Sequence, residues 1–144
     1  LLRSAEAAGA GAVLFCDGSV DPYGPKCVRS SAGSLFRLAV TRDAASGAAL
    51  AALATAGCPT VASLARGAPP YDAVDLTGPV ALVLGNEAHG LPAEIAADLD
   101  LVVRVPLTGR AESLNLAAAA AVLLYETARR QARDRTREEA DGGR

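Results

Sequence analysis

Short apolar runs punctuated by glycine and proline organise this chain. Ala12–Cys16 lies between Gly11 and Asp17-Gly18 and is apolar throughout, the pattern of a strand buried on both faces of a parallel sheet. Residues 80–84 after Pro79 repeat that pattern, and residues 60–64 after Pro59 and residues 101–105 before Pro106 are further, mainly apolar strand candidates. Stretches of helical composition separate these runs. Residues 26–32 are stopped by Gly33, residues 43–56 are alanine-rich and closed by Gly57, and residues 92–99 begin with a proline suited to a first helical turn. Residues 1–8 read as the end of a helix stopped by Gly9 and Gly11. No N-cap precedes them, which predicts a natural chain that starts earlier. From Ser113 the alanine and leucine content predicts a helix to at least Arg130, its apolar start packed on the sheet or on another subunit. Strands alternating with helices predict one α/β domain over residues 1–130, a mostly parallel sheet flanked by helices, followed by a charged tail at 131–144.

Composition narrows the setting. At 144 residues and 51% hydrophobic the chain can bury one substantial core. Cys16, Cys27 and Cys58 are odd in number and have neither disulfide nor zinc-site spacing, so the expectation is reduced thiols in the cytoplasm and no metal. No apolar run approaches the roughly 20 residues that cross a bilayer, and no membrane role is expected. A net charge of −2 argues against a surface that grips nucleic acid everywhere. Local distribution matters more: all but one of the 14 basic residues are arginine. Several, including Arg3, Arg29 and Arg110, stand near turns or strand ends where they can converge on one phosphate-binding face. The tail alternates Arg with Asp and Glu, and two readings are open for it, a solvated helix or an RNA-binding arm.

The chemistry-bearing segments come late in the chain. The first strand is followed by Asp17-Gly18-Ser19, which lacks the glycine fingerprint of a dinucleotide binder, and no phosphate-cradling glycine-lysine loop exists. Two later strands instead run into glycine loops, at Leu84-Gly85 and Val105-Pro106. Backbone N–H and C=O groups could meet there around a flat, partly apolar ligand such as adenosine.

Three motifs resemble those of the SpoU or TrmH-type RNA ribose methyltransferases of the SPOUT class. Leu1-Leu2-Arg3-Ser4-Ala5 resembles the end of the family's first motif, without its preceding Asn and Gly. Leu82-Val83-Leu84-Gly85-Asn86-Glu87-Ala88-His89-Gly90-Leu91 resembles the second. Val105-Pro106-Leu107-Thr108-Gly109-Arg110-Ala111-Glu112-Ser113-Leu114-Asn115-Leu116 resembles the third. Their order and spacing agree with the family, and the departures at Leu107, Leu116 and Ala117 are conservative. The segment from Lys26 to Gly33 is similar to one found in members with ribosomal RNA substrates.

The resemblance implies a deep trefoil knot, an S-adenosylmethionine cofactor, a homodimer whose RNA sites are shared between subunits, and methylation of a ribose 2′-hydroxyl. Large-subunit (23S) ribosomal RNA is favoured over tRNA as substrate. It also implies a small RNA-recognition domain upstream. The cofactor-binding residues it indicates are Leu64, Gly85, Asn86, Val105, Leu107 and Leu114, and the RNA-binding residues are Lys26, Arg29 and Arg110. Arg3 takes the catalytic position. Its guanidinium, with a pKa above roughly 12, is a poor base, so holding a phosphate and stabilising negative charge on the 2′-oxygen suits it better. Glu87 can orient an arginine, including Arg3 of a second subunit, or simply solvate its loop. Ser113 and Asn115 stand where a helix start favours phosphate, and either can serve as a cap instead, with Asn115 the stronger functional candidate at what reads as the third helical position. His89 is a weaker candidate base. Two rivals stand beside the enzyme: a non-catalytic RNA-binding or dimerisation module of the same fold, and a general mononucleotide-binding enzyme.

Overall fold

The structure, a computed structural model, describes residues 1–64, 67–86 and 90–142. The elements run in the order α1 (Leu2–Ala7), β1 (Ala12–Cys16), α2 (Pro25–Ser31), a 3-10 turn (Ser34–Phe36), β2 (Ala39–Ala44), α3 (Ser46–Thr55) and β3 (Thr60–Ser63). A second 3-10 turn (Tyr71–Ala73), β4 (Ala81–Val83), α4 (Ala93–Ala97), β5 (Leu101–Val103) and α5 (Leu116–Gly142) complete the chain. The strands form two sheets, β1-β2 and β4-β3-β5, and every pairing is parallel. The α/β class and the parallel sheet flanked by helices are therefore as the apolar runs predict.

The three-stranded sheet carries the core. Val61 on β3, Leu76 in the loop before β4, Val103 on β5 and Leu123 on α5 are completely buried and touch one another. Each such side chain contributes about 1.5–3 kcal/mol by leaving water. Asp100 pins the sheet's entry edge. Its carboxylate accepts hydrogen bonds from the Thr60 backbone N–H (2.8 Å) and hydroxyl (2.7 Å), while the Asp100 N–H donates back to the Thr60 hydroxyl at 3.0 Å. These bonds to the ionised form hold the Asp100 carboxyl below the usual carboxylate range.

α5 is held by more than its apolar face. Glu126, its side chain 11% exposed, receives Arg129 and Arg130 at 2.7 and 2.6 Å. These bonds, Arg129 foremost, lower its pKa to about 2. Arg130 in turn donates to the Val74 carbonyl at 2.5 Å and the Tyr71 carbonyl at 3.4 Å, and Gln131 donates to the Gly78 carbonyl at 2.8 Å. The middle turns of α5 thus tie down the loop that carries Leu76 into the core.

Several sequence expectations change. The strand β2 replaces what reads as the start of an alanine-rich helix. Leu14 pairs with Thr41 but Cys16 pairs with Ala44, so β2 holds one residue more than β1 over that stretch. Asp43 takes up the excess in a left-handed conformation (φ 56). Its position ahead of an alanine run imitates a helix cap, but α3 begins only at Ser46. Pro92 caps α4 rather than occupying its first turn. α5 begins at Leu116, not Ser113, and continues unbroken past Arg130 to Gly142, so the charged tail takes the helical form that is one of its two readings.

Candidate active site

Because β4, β3 and β5 are parallel neighbours, their C-terminal ends emerge at one edge, where ligands of open α/β sheets bind. Ala62 on β3 stands beside Val83 on β4, and Ser63 beside Val103 on β5. The residues that follow, Leu64, Gly85 and Val105, therefore leave the sheet together. The Leu64 N–H donates to the Val103 carbonyl at 2.8 Å, which fixes the two chains where they part. Four of the six expected cofactor residues, Leu64, Gly85, Asn86 and Val105, are thus brought to one edge by topology alone.

The loop after β4 closes on itself. Asn86 and Gly90 exchange backbone hydrogen bonds of 2.9 and 2.8 Å, and Gly90 adopts φ +69. A Cβ built on Gly85 would stand 2.6 Å from the Leu91 nitrogen and closer still to the Gly90 carbonyl. No side chain fits at Gly85. The expected reason for that glycine, close backbone approach, is present, with the loop's own return segment as the approaching partner. Glu87 and His89 lie outside the described residues.

The loop after β5 supplies the remaining candidates. Val105 and Leu107 are half-buried, whereas Arg110, Ser113, Leu114 and Asn115 are exposed. Asn115 is the N-cap of α5: its side-chain oxygen accepts from the Ala117 N–H at 2.9 Å and from the Ala118 N–H at 3.4 Å. This corrects its expected place in the third helical position. Of two candidate caps two residues apart, the asparagine takes the role because the helical hydrogen bonds start after it.

A wall of this edge was not expected from the sequence. The Arg104 backbone N–H donates to the Pro69 carbonyl at 2.8 Å, and the Tyr71 N–H donates to the Arg104 carbonyl at 3.0 Å. Pro70 is bridged in parallel to Arg104. The Pro69-Pro70 pair, which reads only as a loop, is extended backbone added beside β5. The fixed φ of adjacent prolines is the feature that could have indicated it.

The basic candidates belong to another part of the molecule. Arg3 on α1 and Lys26 and Arg29 on α2 are all exposed. α1 and α2 pack against each other and against the first 3-10 turn, and α1 also packs against α5. Leu2 and Ala5 bury the inner side of α1. Arg3 points away from it and has no hydrogen bond or ion pair to a described residue within the chain. Beside this cluster, at the C-terminal end of β1, lies a hollow of about 290 Å³ whose lining includes Ser19, Asp21, Pro22 and Arg42. Arg42 stands over the Tyr23 ring at 5.9 Å and 3.3 Å from Asp43.

The model of the SpoU rRNA methylase family matches residues 1–125. The chain is 37% identical over 125 residues to the 23S rRNA (guanosine(2553)-2′-O)-methyltransferase of Bacillus subtilis, an alignment covering 87% of this chain and 50% of that protein. It is 38% identical over 141 residues to the 23S rRNA (uridine(2479)-2′-O)-methyltransferase of Streptomyces viridochromogenes, covering 94% of this chain and 49% of that protein. A crystal structure of an AdoMet-bound rRNA methyltransferase from Sinorhizobium meliloti superposes with a TM-score of 0.82 at 36% identity, over 89% of this chain and 49% of that one. The chain spans about half the length of the relatives it matches.

Proposed function

Since the chain belongs to the SpoU rRNA methylase family, we propose that it is the catalytic domain of an S-adenosylmethionine-dependent RNA 2′-O-ribose methyltransferase, acting on 23S rRNA as a homodimer. The observation that carries this reading is the edge where three parallel strands end together. A glycine too confined for any side chain lies there, and apolar Leu64 is left 45% exposed. An exposed leucine beside strand-end backbone suits an adenine, which needs apolar contact on its faces and hydrogen bonds at its rim. Leu64, Gly85, Asn86, Val105, Leu107 and Leu114 would hold the cofactor.

When bound, S-adenosylmethionine supplies an electrophilic methyl group on a sulfonium. In the transfer the ribose 2′-oxygen forms a bond to that carbon as the carbon–sulfur bond breaks, and the hydroxyl proton is lost. The protein must align the oxygen and stabilise its developing charge. Arg3 is the group for this work. Its guanidinium has no hydrogen bond or ion pair to a described residue of its own chain, and its fork can grip a phosphate oxygen while facing the 2′-oxygen. Supplied by a partner subunit, it would complete a site whose cofactor edge lies on this one, and Glu87 would orient it. Ser113, exposed just ahead of the capped start of α5, is placed for a phosphate, with Lys26, Arg29 and Arg110 as further RNA contacts. The three free thiols support a cytoplasmic setting.

The test is incubation of the chain with methyl-labelled S-adenosylmethionine and 23S rRNA, followed by mapping of 2′-O-methyl positions. One new methylated ribose is expected. Arg3→Ala should lower the rate about a thousandfold, a loss of roughly 4 kcal/mol of transition-state stabilisation, while leaving cofactor affinity in place. Full activity of Arg3→Ala would overturn the assignment, and binding of 23S rRNA with no transfer under any condition would favour a non-catalytic module.

A further inference from the structure

The second half of α5 carries arginines that the proposed chemistry does not use, and Arg130 ties it to the Tyr71 carbonyl in the wall that runs beside β5. A hollow of about 230 Å³ is lined by Thr77, Arg129, Arg130, Arg133, Asp134 and Arg137. At 3.6 residues per turn the four arginines fall within an arc of about 100° on one side of the helix. They are not equivalent. Arg130 is spent inside, on Glu126 and on the Val74 and Tyr71 carbonyls. Arg129 is paired with Glu126 and remains 46% exposed. Arg133 and Arg137 are exposed and have no hydrogen bond or ion pair to a described residue. The carboxylates of Glu126 and Asp75 both act on Arg130, and Asp134 stands at the border, so the outer end of the arc keeps a positive excess on a chain whose net charge is −2.

We infer that this arginine stripe is a second RNA-binding surface, which grips the phosphate backbone of the substrate outside the proposed cofactor edge. The inference rests on the RNA reading of that edge. Arg129, Arg133 and Arg137 recur every four residues, which at 1.5 Å per residue is roughly 6 Å along the axis. Three forked, outward guanidiniums along a rigid helix suit a phosphate chain, and their fork favours phosphate over a diffuse counter-charge. The stripe therefore adds affinity without reading sequence.

The experiment compares wild type, Arg133→Glu/Arg137→Glu and the control Arg135→Glu, whose side chain lies about half a turn round the helix on the opposite side. Binding of a 23S rRNA transcript is measured by filter retention from about 50 to 200 mM salt. The double variant should bind the transcript at least tenfold more weakly at low salt, with a salt slope shallower by about one to two. S-adenosylmethionine binding and the melting temperature should match wild type. Unchanged transcript affinity and slope would overturn the inference, as would an equal loss in Arg135→Glu. Failure of the wild-type chain to transfer methyl would overturn the functional reading alone, because the binding comparison needs no turnover.

Discussion

The two sheets of this molecule are built on opposite plans. In β4-β3-β5, the central strand has Val61 and Ala62 at 0% and 1% exposure, and α5 and the 71–78 loop close over it. In β1-β2, no strand residue is fully buried, α3 behind it has no buried residue, and Phe36 and Val20 nearby are 78% and 71% exposed. One half is a finished core with a ligand edge. The other presents its side chains outward, together with Lys26, Arg29, Arg42 and the polar hollow after β1. The contrast teaches that stability resides in the second half, beside the proposed cofactor edge, while the first leaves exposed the surface proposed to meet RNA or a second subunit.

The strongest way to break this contrast is to compare truncations in the two halves. Leu123→Ala removes a completely buried side chain that links α5 to β3 and β5, and should cost about 2–5 kcal/mol. Phe36→Ala, on a larger but exposed side chain, should cost under about 0.5 kcal/mol. Chemical denaturation of both variants measures the difference, and equal losses would mean that the β1-β2 half has a core of its own. Gly85→Ala comes next. Its new Cβ meets backbone at Gly90 and Leu91 rather than a flexible side chain, so the loop must shift, at a cost of about 1–3 kcal/mol. Calorimetry should show cofactor affinity falling by at least tenfold while RNA affinity holds. A Gly85→Ala protein with wild-type cofactor binding would detach the loop from the ligand edge.

The same contrast decides what could be read from the sequence. The strands of the buried half are visible because burial on both faces demands unbroken apolar runs, as in residues 101–103. β2 is not visible, since an exposed edge strand tolerates Thr41, Arg42 and Asp43 and leaves no alternation to detect. The proposed cofactor edge is legible because Gly85 answers a local steric demand that any chain with this loop must meet. The Glu126 clamp is not, because i,i+3 and i,i+4 charges on a helix normally mark only a solvated surface. Its significance comes from carbonyls 56 and 59 residues away in the chain.

That clamp yields a pH-dependent prediction confined to the buried half. The Glu126 carboxyl is lowered from 4.5 to about 2 in the folded chain, chiefly by its hydrogen bond from Arg129. A carboxyl with a depressed folded value stabilises the fold fully above its unfolded value and loses that contribution as pH falls. The clamp should therefore be intact above about pH 4.5 and fade toward pH 2. Glu126→Gln should be less stable than wild type by about 1–2 kcal/mol at pH 7, and the gap should narrow across that window. Thermal unfolding at pH 7, 4 and 3 measures it. A gap that stays constant would show that the carboxylate's charge contributes nothing.

The smallest effect concerns the start of α5, where the buried half meets the loop after β5. Asn115 accepts hydrogen bonds from the Ala117 and Ala118 N–H groups, so Asn115→Ala should cost about 1 kcal/mol of stability as a lost cap. Asn115→Asp keeps a capping oxygen and adds a negative charge that the helix start favours, and it should restore that stability. It should not restore RNA methylation if the residue also faces phosphate, because the added carboxylate repels what the amide accepts. Stability and turnover measured on these two variants therefore separate the two roles of one side chain. Recovery of both in Asn115→Asp would leave Asn115 a cap alone and pass its expected RNA contact to Ser113, whose alanine variant should leave stability within about 0.5 kcal/mol of wild type.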